Sequence, residues 1–104
     1  MEPITKYTEE RHEFGAEDPG RPAPGVMQVF YLDGKPAMVD FLCPCGCGST
    51  VPTHLVDPGE QPKGRRWCYS PGPTLTPSIR FLGGCKAHFN ITNGAVIVHG
   101  DSGK

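Results

Sequence analysis

No stretch of this chain approaches the roughly 20 consecutive apolar residues that a membrane-crossing helix needs, so no spanning helix is expected. The N-terminus has no apolar run behind a basic start, so a secretory signal is not expected either. Charge of one sign is also scarce. Ten Lys and Arg stand against eleven Asp and Glu, for a formal net charge of −1. That balance excludes a global basic field drawing the protein to nucleic acid or to an anionic membrane. No internal repeat and no long helical period are present. The five cysteines are an odd number, whereas a secreted disulfide framework usually has an even one. Together these absences predict a soluble protein of the cytoplasm, with no membrane partner.

Turn-formers, in contrast, are abundant. Fourteen glycines and twelve prolines among 104 residues exceed ordinary usage and predict many short turns. The length fits one domain with a marginal core. Residues 1–25 hold little core material and carry six acidic and three basic residues. They read as a Pro/Gly-rich N-terminal arm, either flexible or docking on a partner. Within the arm, the charged run Thr8–Glu13 suits one or two helical turns, which Pro19, Pro22 and Pro24 would end. The folding unit is then 26–104, a size at which a metal or disulfide commonly supplements the core.

That unit reads as mainly β: a small zinc-stabilised antiparallel sheet of two or more hairpins. Val26–Leu32 and Ala37–Leu42 flank Asp33-Gly34, and Ala87–Thr92 and Ala95–His99 flank Asn93-Gly94. Both dipeptides favour tight hairpin turns, because their residues tolerate positive φ. Ser49–Val56 suits an edge strand, since Pro52 lacks a ladder donor. Residues 57–66 read as a loop, Trp67–Tyr69 as a short strand and Thr76–Leu82 as extended chain.

Two clusters of soft ligands lie at predicted strand ends, Cys43-Pro44-Cys45-Gly46-Cys47-Gly48 and Cys85-Lys86-Ala87-His88. Zinc takes thiolate and imidazole ligands in a tetrahedron. The expected set is Cys45, Cys47, Cys85 and His88, with Cys43 able to replace Cys45 or Cys47. The metal loops are zinc-ribbon-like. They are also Rieske-like, since a Rieske site draws two ligands from each of two loops, which leaves an iron–sulfur cluster as a minor alternative to one zinc ion. Cys68 reads as a core thiol, His54 as a weak ligand candidate, and His12 and His99 as surface or turn residues.

These motifs resemble a phage and bacterial zinc-binding domain of unknown function. The shared segments are Phe41–Gly48, Leu75–Ile79 and Cys85–Gly94, with Pro24-Gly25-Val26 at the start. Members of that family occur in tailed-phage genomes and beside bacterial ubiquitin-like conjugation genes. The resemblance implies a zinc-binding protein of phage or mobile-element origin, acting in the host cytoplasm if phage-encoded. It carries over no activity. The loop within 51–70 looks longer than the family pattern.

Three functions compete. A closed site of three cysteines and one histidine has no vacant position for chemistry, which favours a binding or adaptor module directed at a host protein. Its surface would be Lys63, Arg65, Arg66 and Trp67. The alternative is a single-stranded nucleic-acid-binding module, because basic side chains beside aromatics suit phosphates and bases. The third is a Rieske-like redox or metal-dependent enzyme, with Asp40 as a base near the cluster and Ser78 as a polar neighbour. Motif signatures for a Ser/His/Asp triad are absent from the linear sequence, so no catalytic residue is expected. Oligomeric state is not fixed by the sequence.

Overall fold

A computed structural model describes residues 2–104. The elements are strands throughout: β1 (Thr8–Glu13), β2 (Val26–Leu32), β3 (Lys35–Asp40), β4 (Thr53–His54), β5 (Cys68–Ser70), β6 (Thr74–Arg80), β7 (His88–Thr92) and β8 (Ala95–Val98). They form two four-stranded sheets, ordered β1-β2-β3-β4 and β5-β6-β7-β8. The expected mainly β fold is found, divided between two sheets. No helix among the described residues is long and apolar enough to cross a membrane.

Both hairpins form at the turns that sequence chemistry selects. Asp33 and Asn93 take φ of 53° and 47°, and the glycines after them 79° and 81°. Gly94 is further constrained by space. A Cβ there would lie 2.7 Å from the Tyr7 carbonyl oxygen, so a side chain would push the N-terminal segment away.

The segment expected as an arm lies on the chain's own sheet. β1 pairs with β2 in parallel, Thr8 opposite Val26 through Glu13 opposite Tyr31. Thr8–Glu13 is therefore a strand and not the expected helical turn. Tyr7 is 1% exposed, and its hydroxyl donates to the Leu42 carbonyl. The Ile4 amide donates to the Pro44 carbonyl. These contacts bring residues 4–7 against the cysteine cluster.

The sheets share one core. Met27, Val29 and Val39 of the first, with Phe41 just after β3, meet Leu75, Ile79, Phe89 and Ile91 of the second. The rings of Phe41 and Phe89 meet edge-on at 6.3 Å, a favoured aromatic geometry. Strand alternation sends every second residue of β6 and β7 to the opposite face. That outer face carries Ser78, Arg80, His88 and Asn90.

Candidate functional site

The cysteine cluster joins the sheets. Cys43, Cys45 and Cys47 follow β3, and Cys85 precedes β7. Their four sulfur atoms lie within 4.8 Å of one another, with Cys43 Sγ 3.4 Å from Cys45 Sγ and 3.8 Å from Cys85 Sγ. A tetrahedron with zinc–sulfur bonds of about 2.3 Å has sulfurs about 3.8 Å apart, so the donor set fits one tetrathiolate-bound ion. Gly46 and Gly48 take φ of 89° and 85°, which curls the backbone tightly enough to gather three thiols from five residues. The Cys47 amide donates to Cys45 Sγ.

The thiols differ in how readily they ionise. Burial pushes the Cys43 and Cys45 thiols up. Hydrogen bonds from the Ser49 side chain and amide pull Cys47 down to about 6. Four thiolates this close repel one another unless a metal ion offsets their charge.

The group of four differs from the expected one. The cluster holds Cys43, Cys45, Cys47 and Cys85 together, while His88 lies outside it. Cys85 lies in the loop packed against the core, whereas His88 opens β7 and points to the outer face. Cys85 precedes the strand, and the outward direction of His88 within it separates two residues that a Cys-x-x-His spacing would unite.

On that outer face both nitrogens of His88 are engaged. Nε2 is 3.1 Å from Ser78 Oγ, and Nδ1 is 2.6 Å from Asp101 Oδ1. A serine, a histidine and an aspartate are thus in contact in the order that a nucleophilic triad uses. Ser78 comes from β6, where the register with β7 shifts between Leu75 and Ile79. Such a bulge re-aims a side chain. Asp101 comes from the turn after β8. That turn is fixed by the His88 amide donating to Ser102 Oγ at 3.0 Å and the Gly103 amide donating to the Lys86 carbonyl at 2.8 Å.

Asp101 Oδ2 lies 3.3 Å from Arg80 Nη1. The hydrogen bond from His88 holds the Asp101 carboxyl below the usual carboxylate range, and the charge of Arg80 adds to it. A carboxylate in this state keeps Nδ1 as the donor and leaves Nε2 free to accept the Ser78 proton. The His99 ring stacks on His88 at 4.1 Å and 15°, and its Nε2 meets Asn90 Oδ1. His99, half-exposed at the start of the turn that the Ser102 amide closes onto its carbonyl, as the sequence led one to expect, also walls the imidazole.

The remaining candidates lie elsewhere. Cys68 is half-buried and not in the core, its Sγ 3.1 Å from the Glu60 carbonyl. His54 sits on β4 and His12 beside Glu10, both apart from the cluster. Asp40 Oδ1 is buried with no partner among the described residues, and burial raises its pKa. It takes no part in the serine–histidine relay. Lys63, Arg65 and Arg66 are exposed on the loop before half-buried Trp67.

A family model described as "Bacterial ubiquitination-like system serine protease (BubE)" matches residues 15–99. The chain belongs to that family. No curated protein matches it, and no solved structure does.

Proposed function

We propose that this member of the BubE family is a serine hydrolase acting on an acyl bond of a polypeptide, with Ser78 as nucleophile, His88 as general base and then acid, and Asp101 as the group orienting His88. The observation that supports it most is the unbroken chain of contacts, 3.1 Å from Ser78 Oγ to His88 Nε2 and 2.6 Å from His88 Nδ1 to Asp101 Oδ1. The family's printed description, a serine protease of a ubiquitination-like system, supports the same reading and a protein of such a system as substrate.

In this reading Ser78 Oγ attacks the substrate carbonyl while its proton passes to His88 Nε2. The resulting imidazolium is stabilised by Asp101, whose far oxygen Arg80 holds. His88 then protonates the leaving group, and an acyl-serine remains. Water attacks that ester, gives its proton to His88 and releases the acid, regenerating Ser78. Relay geometry of this kind is recognised by the roles of the three groups and not by their order in the chain.

The ion at the cysteine cluster, which we propose to be zinc, stands apart from these steps. Four thiolates fill a tetrahedron, so its contribution is to fasten the sheets. None of the five cysteines is in a disulfide among the described residues, which suits a reducing cytoplasm and supports a cytoplasmic location. The binding role expected from the sequence becomes recognition of the substrate protein.

The test is pre-steady-state hydrolysis of a p-nitrophenyl ester. A burst equal to one nitrophenolate per protein, lost in Ser78→Ala, is the expected result. Turnover that persists in Ser78→Ala would sink the assignment.

A further inference from the structure

β6 leaves one edge open beside the nucleophile. β5 covers it only as far as Thr76, the partner of Cys68. The chain before β5 turns away to β4, the Trp67 amide donating to the His54 carbonyl and the Val56 amide to the Trp67 carbonyl. On its other side β6 pairs with β7, Ile79 opposite Phe89 and Arg80 opposite His88, and the Phe81 amide donates to the Ala87 carbonyl. Antiparallel alternation therefore turns the amide and carbonyl of Arg80 outward, onto the open edge.

A cleft of about 460 Å³ borders that edge, its lining including Thr53, Arg65, Trp67, Ile79, Arg80 and Phe81. Trp67 ties the cleft to the nucleophile, because its Nε1–H donates to the Ser78 carbonyl at 3.4 Å. Arg65 is exposed. Among the described residues it has no carboxylate within 4.0 Å, the ion pairs being those of Arg11, His12, Arg80 and His88. The cleft thus combines an unpaired strand edge, an apolar wall and an unmatched positive charge.

We infer that this cleft binds one extended, acidic segment of the substrate polypeptide as an added strand on β6. The inference rests on the hydrolase reading above. Main-chain hydrogen bonds to Arg80 supply affinity, and alternate side chains supply specificity. An apolar side chain packs on Trp67 and Ile79, and an acidic one meets Arg65. The edge lies one to two residues from Ser78 on the same strand, so a segment held there brings a neighbouring carbonyl towards the nucleophile. A nucleic-acid strand would leave the main-chain edge unused.

The test uses two fluorescein-labelled ten-residue peptides, one alternating Val and Glu, the other Val and Lys. Each is titrated into the metal-loaded full chain carrying Ser78→Ala. The Val/Glu peptide is expected to bind about tenfold tighter and to shift the backbone amide resonance of Arg80. Adding Arg65→Glu, an exposed change, is expected to reverse the preference. Equal binding of the two peptides, an unchanged preference with Arg65→Glu, or an unmoved Arg80 amide would overturn the inference. So would displacement of the Val/Glu peptide by a thymidine oligonucleotide at matching concentration, in favour of nucleic acid. The readout is binding, so its failure is distinct from failure of the hydrolase reading, which appears as absence of the ester burst in the unsubstituted protein.

Discussion

The cysteine cluster and the Ser78–His88–Asp101 group meet at the start of β7, yet they are built on opposite principles. The cluster draws four like ligands from two sheets. In the reading proposed above, an ion bound by all four is what fastens it. The triad draws three unlike side chains from β6, β7 and the turn after β8, and its own hydrogen bonds satisfy it. The first joins the halves of a small fold, and the second stands on the outer face. One backbone hydrogen bond links their loops. The Gly103 amide donates to the carbonyl of Lys86, the residue after Cys85, and so ties Asp101's turn to the metal loop.

That contrast is open to tests of descending size. Removing the metal with a strong chelator, or Cys85→Ser, is expected to unfold the protein, since structural zinc contributes on the order of 10 kcal/mol to folding. Circular dichroism with elemental analysis measures this, and Cys68→Ser should keep both the fold and one ion per chain. If the metal-free protein keeps its melting temperature, the cluster does not fasten the sheets. Ser78→Ala comes next, expected to lower kcat about 10⁶-fold, the scale found on removing a triad nucleophile, while metal content and melting temperature stay as before. A comparable loss of stability would make Ser78 a structural residue.

Asp101→Asn should lower kcat by about 10⁴-fold, by favouring the wrong His88 tautomer. Activity within tenfold of the original would remove Asp101 from the relay. The smallest effect is on acid stability. The native carboxyl of Asp101 is held low, so its contribution to stability is present above the unfolded pKa. It fades as pH falls through the native one, which lies below the unfolded value. Carboxyl carbon shifts followed against pH measure this directly, and a midpoint above the unfolded value would reverse the sign.

Much of the fold was legible because its signals are local. Asp33-Gly34 and Asn93-Gly94 fix two hairpins by backbone chemistry alone, and the cysteine cluster announces a metal by composition. β1 was not legible. Five of its six residues are exposed, so Thr8–Glu13 shows no apolar alternation, and its parallel pairing with β2 depends on a connection passing three prolines. The triad was hidden for a different reason. Its members lie ten and thirteen positions apart and run Ser, His, Asp along the chain, an order without a linear signature among familiar hydrolase motifs. His88 also carried a competing signal, the zinc spacing from Cys85. The clue available was strand parity. A histidine one residue before core-facing Phe89 must face away from the core, and so away from a thiol packed against it.

The central claim is that Ser78 is the activated nucleophile. Its most direct test is treatment of the folded, metal-loaded protein with a fluorophosphonate, followed by peptide mapping of the adduct. The account predicts one phosphonyl group per chain, on Ser78, with labelling abolished by His88→Ala. An unlabelled protein, or an adduct on another residue with Ser78 untouched, would contradict it.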